Sequence, residues 1–265
     1  MKQTKFSMWK DLSFIPCSIT LCNALCGLSA IICMISPRSA ETTVPFFAIL
    51  LIFAAMFFDI FDGFAARKLK AESMHGMELD SLSDMLSFGI APAILIFVTG
   101  QGWHQNLQPF HWVAWLAAGF FTVCALWRLA QYNTVALSEE ESSKGIFTGL
   151  PTPGATAVLC SVLLLADHLG LEAPIVGLAA IAYAFILGFL MVSEFEYGHF
   201  IRVVTTGPLA MRIIVGVLFV SAIIGIRGFI FLAFFAVMHI YLVCGLLSLT
   251  LLKKNTSTVK LHQEL

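Results

Sequence analysis

Long apolar runs separated by short polar connections fill the chain from residue 14 onward. An α-helix needs about 20 predominantly apolar residues to cross a bilayer. Eight such runs can be placed, at 14–35, 44–61, 82–99, 112–131, 150–167, 175–193, 209–226 and 229–252. Polar residues and prolines interrupt the third and fifth, and only Arg227 and Gly228 separate the last two, which predicts a tight helical hairpin. The pattern predicts an all-α fold, a polytopic membrane helix bundle of about eight transmembrane helices in a single domain over residues 1–252. Residues 1–11 interleave Phe6, Met8 and Trp9 with Lys5 and Lys10, as expected of an interfacial segment along the headgroups. Residues 253–265 are polar and are expected to form a disordered tail anchored by Lys253 and Lys254.

Composition agrees with the pattern. The chain is 59% hydrophobic and 12% charged with a mean hydropathy of +0.90, which excludes a soluble domain. No basic run or aromatic-interleaved patch points to nucleic acid. The charges that exist set the orientation. With the N-terminus in the cytoplasm, 13 of the 15 Lys and Arg fall at cytoplasmic ends, and only Arg38 and Arg227 lie outside. An even number of spans then puts both termini in the cytoplasm. The first apolar run exceeds a signal-peptide core and no small-residue cleavage site follows it. The seven cysteines form no CxxC pair and read as small buried hydrophobes.

One polar window stands out between the second and third runs. Asp59, Asp62, Asp80 and Asp84 fall there at spacings of three and four, so each pair shares one helical face. If the connection over 68–75 turns the chain back, the two faces meet and four carboxylates converge. A carboxylate at membrane depth costs about 2.5–3.5 kcal/mol even on the lenient insertion scale, so four together need compensating charge. Hard oxygen ligands suit Mg²⁺, Mn²⁺ or Ca²⁺. Gly63, Ala66 and Gly76 leave room for a bulky ligand beside them, with Arg67 adjacent. A cation transporter would also place carboxylates in a membrane, but it predicts aspartates spread over repeated halves, and no internal repeat is found.

The spacing D-x2-D-G-x2-A-R-x8-G-x3-D-x3-D, complete from Asp59 to Asp84, resembles the signature of the CDP-alcohol phosphotransferases. The resemblance implies that Asp59, Asp62 and Asp80 are the principal ligands of a pair of divalent ions. It implies that Asp84 completes the second metal site and acts as general base. Gly63, Ala66 and Gly76 would then make space for a cytidine, and Arg67 would offer a fork to phosphate. The domain over 1–252 is accordingly expected to be catalytic, in the inner or plasma membrane, with its site open to the cytoplasm. Homodimers are common in the family.

Other stretches resemble one branch, the membrane-embedded phosphatidylserine synthases. They are the run 15–27, which carries Thr20 and Asn23; Ser87-Phe88-Gly89-Ile90-Ala91-Pro92-Ala93; Trp127-Arg128-Leu129-Ala130-Gln131-Tyr132-Asn133; and Gly149-Leu150-Pro151-Thr152-Pro153-Gly154. Gln131, Glu194 and Glu196 depart from the branch, which usually has basic residues there. The branch uses CDP-diacylglycerol and L-serine and releases CMP. Arg128, Asn133 and Thr152 are candidates for holding serine, while Arg128 read alone is equally an ordinary positive-inside anchor. Thr20 and Asn23 are further substrate-binding candidates, and can equally bond a neighbouring helix. His75 beside the motif reads as an exposed histidine, and residues 138–144 as a solvated acidic loop. Acceptors other than serine, such as glycerol 3-phosphate or inositol phosphate, stay open within the family. No HxK motif is present, so a covalent-histidine route has no support and in-line displacement is expected.

Overall fold

The computed structural model describes residues 14–36, 44–71, 73–101, 111–137, 147–193, 196–197 and 231–243. These form helices α1 (Phe14–Ile35), α2 (Phe46–Leu69), α3 (Met74–Asp84), α4 (Ala91–Gly100), α5 (His111–Leu137), α6 (Thr152–His168), α7 (Ala173–Val192) and α8 (Phe231–Val243). A π-helical segment, Met85–Ile90, joins α3 to α4, so Met74–Gly100 is one continuous helical stretch. Five stretches are long and apolar enough to cross a membrane, and α6 and α8 are shorter apolar helices. The protein is therefore a polytopic helical membrane protein.

Helix α1 shows how these sequences partition. Leu21, Leu25, Leu28 and Ile32 are exposed along one face, while Thr20, Asn23, Gly27, Ala30 and Met34 are buried along the other. Large apolar side chains outside and small or polar ones between helices are what a lipid solvent selects, because lipid supplies no hydrophobic drive for helices to associate. The fully buried large side chains include Ile49 and Ile52 of α2, Phe88 of the π segment, and Leu95, Ile96, Phe121, Leu159, Leu163, Leu187 and Met191 of α4, α5, α6 and α7.

The aspartate window is more helical than its polarity suggests. Helix α2 runs on past the apolar run to Leu69, and the next helix begins at Met74, ahead of the apolar run that starts at 82. The connection expected over 68–75 therefore shrinks to residues 70–73. Lys70 takes a left-handed conformation (φ 50, ψ 38) that ends α2, and the Ala71 amide donates back to the Ala66 carbonyl at 3.0 Å. Ser73 caps α3, its hydroxyl accepting from the Gly76 amide at 3.1 Å. This hairpin brings the two acidic faces together.

The π segment is held from two sides. The Ser87 hydroxyl donates to the Asn23 carbonyl of α1 at 3.0 Å, and the Thr156 hydroxyl of α6 donates to the Phe88 carbonyl at 3.0 Å. Helix α1 packs so closely here that a β-carbon on Gly27 would lie 2.8 Å from the Ser87 Cα. These contacts fix the rotation of the helix that carries Asp80 and Asp84. At the start of α6, strands β1 (Phe147–Thr148) and β2 (Glu196–Tyr197) pair antiparallel, Thr148 opposite Glu196. Gly149 follows at φ 84, where a β-carbon would meet the Met191 carbonyl oxygen at 2.5 Å.

Several expectations differ only at helix ends: α5 continues to Leu137, and α6 starts at Thr152, just after Pro151. The segment 1–11, the run 209–226, the loop 138–144 and the tail 253–265 lie outside the described residues, as do Arg38, Arg202, Arg212, Arg227 and Glu194. Of the run 229–252, the described part is α8.

Candidate active site

Asp59 and Asp62 project from the last turns of α2, one helical turn apart, toward Asp80 of α3. Each of the three offers a carboxylate oxygen, and the three oxygens all lie within 4.8 Å of one another. Asp84, one turn after Asp80, stands beside this triad rather than within it. Its carboxyl is in hydrogen-bond contact with Asp59 and accepts from Asn23 Nδ2 at 3.1 Å. The Thr20 hydroxyl lies between the Pro16 carbonyl, 3.0 Å away, and the Asp62 carboxylate. Helix α1 thus supplies polar groups to both ends of the acidic cluster.

The residues fit a divalent cation. Asp62 Oδ2 and Asp80 Oδ1 are buried and have no hydrogen-bond partner among the described residues. A buried charged oxygen left unsatisfied is costly, and native structures rarely leave one so. Oxygens on opposite sides of a Mg²⁺, Mn²⁺ or Ca²⁺ ion stand roughly 4–5 Å apart, the span over which these three converge. Asp59, Asp62 and Asp80 are the residues that would hold such an ion, with Asp84 next to it.

Of the other sequence-derived residues, Asn133 joins the cluster's flank: its Oδ1 accepts from the Ser81 hydroxyl at 2.9 Å, tying the end of α5 to α3. Gly63 and Arg67 lie one turn apart on α2, Arg67 exposed, with its Nη1 3.4 Å from where a β-carbon on Gly63 would stand. Gly76 faces Cys17 of α1 across a gap that a β-carbon would narrow to 3.9 Å. Ala66 serves through its carbonyl in the turn after α2. His75, at the start of α3, is exposed.

Arg128 and Thr152 sit apart from the triad, toward α6. Both are buried, at 6% and 2% exposure. Arg128 Nη2 reaches the Gly149 carbonyl at 3.5 Å, and its buried Nε has no partner among the described residues. The phenols of Tyr132 and Tyr241 are its electrostatic neighbours, and Tyr132 in turn neighbours Asp59, Asp80 and Asp84. Three contributors escaped the reading of the sequence. Ser81 and Tyr132 lie inside stretches already marked as functional, so their polarity was the available signal. Tyr241 lies in an apolar run with no motif around it.

Fold and site together define an integral membrane protein whose helix bundle encloses an acidic centre suited to a divalent cation, with a buried arginine to one side. The chain belongs to the CDP-alcohol phosphatidyltransferase family, whose model matches residues 13–192. It is 34% identical over 189 residues to the CDP-diacylglycerol–serine O-phosphatidyltransferase of Bacillus subtilis (strain 168), covering 71% of this chain and 92% of the relative. A yeast protein of the same name, from Saccharomyces cerevisiae, is 37% identical over 161 residues, 58% of this chain and 54% of its own. The archaetidylserine synthase of Methanothermobacter thermautotrophicus is 32% identical over 152 residues, 57% of each chain. The chain thus spans most of the Bacillus relative and just over half of the other two. Every site residue named in this section except Tyr241 falls inside the family match.

Proposed function

We propose that this protein transfers the phosphatidyl group of CDP-diacylglycerol to L-serine, giving phosphatidylserine and CMP. The observation that carries the reading is the convergence of Asp59, Asp62 and Asp80, with unpartnered buried oxygens, beside an Asp84 held by Asn23. The names of the relatives from bacteria, yeast and archaea support serine as the acceptor.

In the reaction, the serine hydroxyl oxygen forms a bond to the phosphatidyl phosphorus while the bond from that phosphorus to the bridging oxygen of CMP breaks. CMP leaves with the electron pair, and the hydroxyl proton passes to the Asp84 carboxylate. Mg²⁺ or Mn²⁺ held by the aspartates would offset the negative charge that builds on the leaving phosphate. Asn23 orients Asp84 for the proton. Gly63, Ala66 and Gly76 leave space for the cytidine, and the exposed Arg67 guanidinium meets phosphate at the rim. On the acceptor side, Arg128 pairs with the serine carboxylate, and Asn133 and Thr152 offer further polar atoms.

The site opens to the cytoplasm in this reading. Arg67, Lys68 and Lys70 sit at the end of α2 next to the aspartates, as the positive-inside rule requires. Eight spans, both termini in the cytoplasm, residence in the inner or plasma membrane and a homodimer complete it. Labelled serine supplied with CDP-diacylglycerol to the purified protein is the test. Incorporation into lipid with stoichiometric CMP supports the reading, and turnover with glycerol 3-phosphate or inositol phosphate but not serine overturns it.

A further inference from the structure

A serine or threonine inside a helix commonly returns its hydroxyl to a carbonyl three or four residues earlier in the same helix. Thr20, Ser83, Thr99, Thr122 and Ser161 do so here, at 2.7–3.0 Å. Among the described residues, three hydroxyls reach another helix instead, and all three bonds involve residues 81–88. Ser81 donates to Asn133 Oδ1 of α5 at 2.9 Å, and Ser87 to the Asn23 carbonyl of α1 at 3.0 Å. Thr156 of α6 donates to the Phe88 carbonyl at 3.0 Å. Asp84 lies in the middle of this stretch.

The three bonds do different things. Pro92 follows Phe88 by four residues and has no N–H to offer its carbonyl, so the Thr156 hydroxyl supplies a donor there. The Asn23 carbonyl is not short of a donor in this way. It lies inside the continuous helix α1, where the Gly27 amide one turn on serves it. The Ser87 bond is therefore an addition, and its effect is to fix where Asn23 sits. Asn23 is held at two points: its backbone carbonyl accepts from Ser87, and its Nδ2 donates to Asp84 Oδ1 at 3.1 Å. Ser87 follows Asp84 by three residues, and both Ser87 and Asn23 are fully buried. The close packing of Gly27 on the Ser87 Cα keeps α1 from shifting against this pair. The bonds of Ser81 and Thr156 reach neither Asn23 nor Asp84.

We propose that Ser87 is a positioning residue for Asp84: by holding the Asn23 backbone, it sets where the Asn23 amide meets the carboxylate. The inference rests on the reading of Asp84 as the group that takes the acceptor's proton, and it extends that machinery by one residue in the π segment.

The test is a double-mutant cycle on the purified full-length protein with Ser87→Ala, Asn23→Ala and the two combined. Serine-dependent release of CMP gives kcat and the KM values for serine and CDP-diacylglycerol. Ser87→Ala should lower kcat roughly three- to tenfold, the span of one hydrogen bond between helices. Both KM values and Mn²⁺ binding should change little. Added to Asn23→Ala, it should alter kcat by less than about twofold, because the group it acts through is gone. Thr156→Val is the comparison. It loosens the same stretch from α6, so its effect on kcat should multiply with that of Asn23→Ala. All rates are read well below the lowest thermal midpoint, and if Ser87→Ala does not fold, Ser87→Cys, whose thiol is a weaker donor, replaces it in the cycle. Wild-type kcat in the Ser87 variant overturns the proposal. So does an equal loss with and without the Asn23 amide, which would make Ser87 a packing residue only. Wild-type transfer to another acceptor but not to serine overturns the functional reading alone, and the same cycle is then read with that acceptor.

Discussion

Asn23 Nδ2 donates to Asp84 Oδ1 across 3.1 Å, joining α1 to α3 over 61 residues of sequence. The bond holds the one carboxylate that stands beside the triad rather than in it. An asparagine deep in an apolar helix reads equally as glue between helices, and here it is glue with a specific target. Its Oδ1 is buried without a partner, so the same amide faces the cluster with an unused acceptor.

Removing that amide should misplace Asp84 without emptying the acidic cluster. Asn23→Ala should lower kcat roughly 10- to 100-fold, the consequence of losing a hydrogen bond to a charged group worth about 1.5–3 kcal/mol. The apparent affinity for Mg²⁺ or Mn²⁺, read from the metal dependence of the rate, should change much less. A wild-type kcat in Asn23→Ala would show that Asp84 does not depend on α1.

The close crossing of α1 over the π segment makes a second prediction. Adding a methyl group at Gly27 would place it 2.8 Å from the Ser87 Cα, which is backbone and cannot swing away. Gly27→Ala should destabilise the protein in detergent by about 1–3 kcal/mol, as overpacking does. It should also cost activity, because Ser87 bonds the Asn23 carbonyl next to the site. An unchanged thermal midpoint would mean that the helices separate readily there.

Orientation can be read chemically. His75 is exposed at the start of α3. A cysteine in its place, with the seven native cysteines replaced, should react with membrane-impermeant thiol reagents only from the cytoplasmic side. Labelling from outside intact cells would reverse the topology that the lysines and arginines set.

Much of this was legible in the sequence, for a physical reason. Apolar length alone located α1 to the residue, because its ends are marked by a drop in hydrophobicity. The acidic spacing gave the cluster, because i,i+3 and i,i+4 geometry survives whatever the helix packs against. The same apolar criterion cut α2 short at 61 and started the next helix late at 82. The acidic spacing, not the apolar criterion, carried both helices through the window, since inside a bundle polar side chains that face one another leave the helix intact. The π segment had no signature, since it depends on Thr156 and Asn23 reaching it from other helices.

The most direct measurement of the central claim is serine-dependent release of CMP from CDP-diacylglycerol by the wild-type protein and by Asp80→Asn, each with Mn²⁺ or Mg²⁺ and with EDTA. Asp80 is one of the three aspartates whose oxygens converge within 4.8 Å, and its Oδ1 is buried without a partner. The wild type should release CMP and form phosphatidylserine in equal amounts with metal and lose both with EDTA. Asp80→Asn should fold normally and fall by orders of magnitude under either condition. Serine transfer that persists in EDTA, or full activity of Asp80→Asn, would contradict the account.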